Sequence, residues 1–141
     1  MRYFDASAVV KRYVDEAGSA QVRRLLLPGE VVVSRLSEVE IGSSINRRMR
    51  DGALSAEQRD RILAALLEDL ATWQVVEVTP EITSTALRLL RTHPLRAGDA
   101  IQLASALFVD ANLPGPLTEL VAFDRRLIDA ALREGLTLME I

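Results

Sequence analysis

The run VVVS at 31–34 is continuous and β-branched, and segments of helical periodicity lie on both sides of it. A strand apolar on both faces belongs inside a parallel sheet covered by helices. The same alternation recurs along the chain. A short strand is expected at 2–5, then a helix through Val14 and another over 19–27, closed by Pro28-Gly29. After VVVS, a helix should run over 36–50 to Asp51-Gly52, and Ser55 should cap a longer one over 56–73.

VVEV at 75–78 reads as the next strand, with Pro80 in the first turn of a helix through Arg91. A largely apolar helix follows over 96–109, then a loop at 112–118, which looks long for such a connection. ELVAF at 119–123 reads as a strand, 124–135 as a helix ending in glycine, and LTLMEI as a final strand. Strands alternating with helices imply right-handed crossovers and a mainly parallel sheet. The expected fold is α/β, a three-layer α/β/α sandwich formed by one domain over 1–141.

Composition narrows the chemistry. There is no cysteine, which excludes disulfides, thiolate zinc sites and cysteine nucleophiles. The one histidine, His93, cannot supply a pair of imidazoles as acid and base, nor an HExxH zinc site. Any catalysis must rest on carboxylates. A formal charge of −3 argues against nonspecific nucleic-acid binding, although NRRMR at 46–50 is a local basic cluster. No stretch reaches the roughly 18 apolar residues of a membrane span. With no signal-peptide pattern at Met1, the protein is expected in the cytoplasm.

In parallel α/β sheets, ligands bind beyond the carboxyl ends of the strands. Asp5 and Asp124 each stand at the end of an expected strand, Glu40 lies early in the helix after VVVS, and Asp99 opens a helix. Each also has a structural reading. The three aspartates could be helix caps, and SEVE at 37–40 fits a capping box in which Glu40 returns to the Ser37 backbone. Parallel topology, however, gathers these positions at one edge. Two carboxylates ~5 Å apart repel by roughly 3 kcal/mol at an effective dielectric of 20. Four together call for a cation, and an all-oxygen donor set favours Mg²⁺ or Mn²⁺. Such a site suits metal-assisted phosphodiester hydrolysis.

Four motifs, YFDASAVVKRYV, SRLSEVEIGSSINRR, LRAGDAIQLASAL and LVAFDRRL, together resemble the PIN-domain ribonucleases, specifically the VapC-type toxins of bacterial toxin/antitoxin pairs. The resemblance covers nearly the whole chain in the same order. It implies a PIN-like fold, Mg²⁺- or Mn²⁺-dependent endoribonuclease activity on RNA, a cognate VapB-type antitoxin and a homodimer. It also implies that Asp5, Glu40, Asp99 and Asp124 form an acidic quartet, with Asp5 and Asp99 as the most direct metal ligands.

Ser7 matches a small hydroxyl residue common two positions after the first aspartate. Arg96 and Arg47 or Arg48 are candidates to hold RNA phosphates. One departure is visible, since Ala122 stands where the family often has Ser or Thr. Phosphatases of the haloacid-dehalogenase type need a second Asp at position 7 and a downstream lysine. Receiver domains need a late strand-end lysine. Position 7 is Ser and the only lysine is Lys11, so neither fits. The rival from another class is a catalytically silent PIN-like module that binds RNA or protein.

Overall fold

The structure, a computed structural model, describes residues 1–27, 30–113 and 119–139. Its elements run β1 (Arg2–Phe4), α1 (Ala6–Tyr13), α2 (Ser19–Leu26), β2 (Val31–Ser34), α3 (Leu36–Arg50), α4 (Ala56–Leu70), β3 (Gln74–Val76), α5 (Pro80–Thr92), α6 (Ala97–Asn112), β4 (Glu119–Val121) and α7 (Arg125–Arg133). The four strands form one parallel sheet in the order β3-β2-β1-β4.

That order explains the layers. The chain steps outward from β1 to β2 to β3, then returns across the sheet to β4. Right-handed crossovers made in opposite directions place their helices on opposite faces. Phe4, Val31, Val33 and Val121 accordingly pack with Val9, Val22, Ile41, Ile45 and Leu66 of α1–α4. Tyr3, Val32, Val76 and Leu120 pack with Ile82, Leu89, Leu103 and Leu127 of α5–α7. All four β2 residues are buried, as a strand covered on both faces requires.

The helix starts follow local chemistry. Ser55 and Gln58 form a reciprocal capping box at α4. Thr79 caps α5, with Pro80 in its first turn.

Several boundaries differ from the sequence reading. α4 ends at Leu70 rather than at Trp73, because the chain turns there, with the Thr72 hydroxyl bonded to the Asp69 carbonyl at 2.8 Å. β3 runs 74–76 rather than 75–78, and α6 continues beyond 109 to Asn112. The expected final strand is reduced to one parallel bridge between Leu138 and Leu120. With β4 only three residues long, the ladder has little to extend, and buried Leu136 contributes to the core instead. Pro28-Gly29, residues 114–118 of the expected loop, and positions 140 and 141 lie outside the described residues. Among the described residues no helix is long and apolar enough to cross a membrane.

Candidate active site

The change of direction in the chain falls between β1 and β4, the neighbours that begin and end the outward and return paths. A crevice opens beyond the carboxyl ends of strands at such a switch point. Phe4 pairs with Val121, and the Asp5 N–H donates to the Val121 carbonyl at 3.0 Å. Asp5 therefore leaves β1 at the edge where the chain after β4 leads to Asp124.

Asp5 is both cap and site candidate. It is the N-cap of α1 and only 4% exposed. Its Oδ2 accepts from the Ser7 backbone N–H at 3.3 Å and from the Ser7 hydroxyl at 2.5 Å. Burial pushes its carboxyl up to about 7; the Ser7 hydrogen bond opposes this and the Glu40 charge adds to it. Ser7 also accepts from the Phe123 N–H at 3.0 Å, which joins α1 to the segment leading to Asp124.

Glu40 is not part of a capping box. α3 starts two positions earlier than that motif requires, with Arg35 as its N-cap and the Ser34 hydroxyl accepting from the Leu36 N–H at 3.1 Å. Ser37 is thereby inside the first turn and buried. Glu40 Oε1 instead accepts from Gln102 Nε2 of α6 at 2.8 Å. Burial raises the Glu40 carboxyl above its ordinary range, Gln102 opposes the rise, and the Asp99 charge adds to it.

Asp99 is not an N-cap either. Arg96 holds that position without a side-chain cap bond, and Asp99 sits in the first turn of α6. Burial and then the Asp124 charge raise its carboxyl, against a bond from the Arg96 backbone and the charges of Arg96 and Arg126. Asp124 caps α7, its Oδ1 accepting from the Leu127 N–H at 3.1 Å.

Asp5 thus feels Glu40, Glu40 feels Asp99, and Asp99 feels Asp124. This is an open arc, since no three His, Cys, Asp or Glu side chains among the described residues already form a metal-ligand group. None of the four makes a salt bridge among the described residues, whereas Glu16, Asp69, Glu77, Glu119 and Glu134 all pair with basic side chains. Unpaired, partly buried carboxylates are a chemically suitable donor set for a hard divalent cation.

Arg96 lines a cleft with Asp99, Asp124, Arg125 and Arg126. Arg47 is exposed near the end of α3, on the Glu40 face but two turns away, and does not line that cleft. Arg48 turns to Glu16, with a 3.2 Å contact. The sequence reading passed over Arg125, Arg126, Tyr3 and Gln102, and gave Ser37 only a capping role. The available signal for Gln102 was an amide three residues after Asp99, on the same helical face and among the apolar residues of the first half of α6.

Comparison with known proteins agrees with this architecture. The PIN domain family matches residues 2–132. Ribonuclease VapC45 of Mycobacterium tuberculosis is 34% identical over 140 residues, an alignment covering 94% of this chain and 90% of the relative. Among solved structures, VapC20 of Mycobacterium tuberculosis, described as a Sarcin-Ricin loop cleaving toxin, superposes with a TM-score of 0.74 at 18% identity and covers 100% of both chains. VapBC2 of Rickettsia felis, solved bound to a DNA fragment from its promoter, gives 0.66 at 14% identity, covering 99% of this chain and 98% of the other. The chain belongs to the PIN-domain family, in its VapC-type ribonuclease branch.

Proposed function

We propose that this protein is a divalent-cation-dependent endoribonuclease toxin, acting in the cytoplasm and held in check by a VapB-type antitoxin. The observation that carries the reading is the arc of four carboxylates at the switch-point edge, unpaired with any basic side chain among the described residues. Capping accounts for Asp5 and Asp124 singly, but it does not call for four mutually repelling acids at one edge.

Asp5 and Asp99 would hold Mg²⁺ or Mn²⁺, with Glu40 and Asp124 completing the set. When bound, the ion supplies Lewis acidity, activating a water and neutralising charge that develops on the phosphate. Glu40, half-buried and with its proton affinity raised, is placed to accept the proton of the attacking water. Ser7 holds the Asp5 carboxylate in one orientation through its hydroxyl. Arg96 and Arg126, both close enough to act on Asp99 electrostatically, are placed to bind the flanking phosphates of an RNA strand. Attack by water rather than by the ribose 2′-hydroxyl leaves a 5′-phosphate and a 3′-hydroxyl.

The antitoxin is supported by a fold neighbour solved as a VapBC assembly. Homodimerisation and a single-domain organisation over 1–141 belong to the same reading.

The test is incubation of purified protein with a panel of structured RNAs and Mg²⁺ or Mn²⁺, beside Asp5→Asn and Asp99→Asn. Metal-dependent cleavage that both variants lose supports the reading. Cleavage unchanged in the variants removes the acidic site, and no cleavage by any form points to the silent binding module.

A further inference from the structure

We infer that Gln102 is a positioning residue for Glu40, holding its carboxylate against the first turn of α6 from beneath the site. The inference rests on the nuclease reading above and adds to it a residue that touches neither substrate nor metal. Gln102 is 1% exposed. Both of its amide hydrogens are used, one on Glu40 Oε1 at 2.8 Å and one on the Ser37 hydroxyl at 3.0 Å. Its oxygen accepts from the Tyr3 hydroxyl at 2.6 Å. Turned over, the amide would set its oxygen against a carboxylate, acceptor facing acceptor. The network therefore has one satisfied orientation.

Tyr3 keeps that orientation in place. It is fully buried, and its hydroxyl donates to the Gln102 oxygen. Glu40 is confined from its other side too. A Cβ added at Gly98 would stand 3.0 Å from Glu40 Oε2, so the carboxylate lies close against residue 98 and a side chain there would make it give by a few tenths of an ångström. With Gln102 on one oxygen and Gly98 beside the other, the place of Glu40 is tied to the helix that carries Asp99. The holding group is also neutral. An arginine or lysine there would lower the proton affinity of Glu40, whereas an amide fixes its direction at smaller cost to its basicity.

The test is a double-mutant cycle with a structural readout independent of metal and of activity. Gln102→Met keeps length and burial but cannot donate. It is expected to lower kcat for RNA cleavage about tenfold with KM within about twofold, the scale seen when supporting partners of site residues are removed. In a Glu40→Ala background, where the acceptor itself is gone, it should cost nothing further in the residual rate. Tyr3→Phe, which frees the amide while conserving core volume, should lose about threefold in kcat and behave the same way in that background. It also serves if Gln102→Met does not fold.

In the metal-free wild type, both side-chain amide protons of Gln102 should be slow to exchange by NMR, and Glu40→Ala should release one of them. Full kcat in a folded Gln102→Met, an equal loss in the Glu40→Ala background, or an unprotected amide overturns the inference. Absence of RNA cleavage by the wild type would instead defeat the nuclease reading, while amide exchange would still decide whether Gln102 holds Glu40.

Discussion

The Ser7 hydroxyl donates to the Asp5 carboxylate at 2.5 Å, and this bond counteracts the effect of burying that acid. Ser7→Ala removes it and also strips the Phe123 N–H of its acceptor. A loss of about 1–3 kcal/mol in stability is expected, the cost of leaving buried polar groups unpaired. Without the donor, the Asp5 carboxyl rises further. The acid limb of the pH–rate profile should therefore move to higher pH, which cleavage assays between pH 5.5 and about 9 would show.

Asp5 makes the metal-free protein sensitive to pH in an unusual direction. Its carboxyl is about 7 when folded, against an ordinary 3.8, so between those values the folded chain binds more protons than the unfolded one. Its contribution to stability is fully present below about pH 4 and is lost as pH rises towards 7. Asp5→Asn should abolish cleavage. In EDTA at pH 8 it should stabilise the fold, by at most about 4 kcal/mol for a shift of this size. Urea melts of both proteins at pH 5 and pH 8 provide the comparison. Equal wild-type and variant stability at both pH values would contradict the burial of a charged Asp5. Added Mg²⁺ should narrow the gap at pH 8 by binding the ionised form.

Gly18 meets the site from the other side. Its φ is +90°, and a Cβ there would lie 2.7 Å from Cε1 of Phe123, the residue before Asp124. Gly18→Ala is both strained and obstructed. About 2 kcal/mol of destabilisation is expected. Displacement of Phe123, which also carries the Lys11 ammonium 4.4 Å from its ring centre, should lower kcat as well. Thermal melts and cleavage rates measured on the same sample would check the two effects together.

Away from the site, His93 Nε2 and Glu134 Oε2 are 2.9 Å apart and join the ends of α5 and α7. The hydrogen bond from His93, helped by Arg88, holds the Glu134 carboxyl below its ordinary range. A lowered acid stabilises above its unfolded value and loses that contribution as pH falls. Glu134→Gln should cost about 1 kcal/mol at pH 7 and progressively less below about pH 4, with catalysis unaffected. Chemical denaturation across that range is the measurement.

How far the sequence was legible depends on whether local or distant chemistry decided each element. β2 and α3 have the expected bounds because a β-branched run and the Asp51-Gly52 turn are local signals. α4 was read too long because Ala71, Thr72 and Trp73 are compatible with a helix, and only the turn after Leu70 shows otherwise. SEVE fits a capping box in isolation, yet Gln102, 62 residues away, takes Glu40. The four acids could be placed at one edge by topology alone. Their open spacing and the buried Tyr3–Gln102–Ser37 network depend on side chains from three separate elements, which no spacing rule joins.

The two helical layers also divide the acids between them. Asp5 and Glu40 lead into or lie on helices of the first-made layer, Asp99 and Asp124 on those of the second. During translation, an emerging chain carries only half of the arc until α6 and then Asp124 have left the ribosome. If the acids act as proposed, a half-made chain lacks the set that would hold the cation, and the arc is whole only when the return path across the sheet is complete.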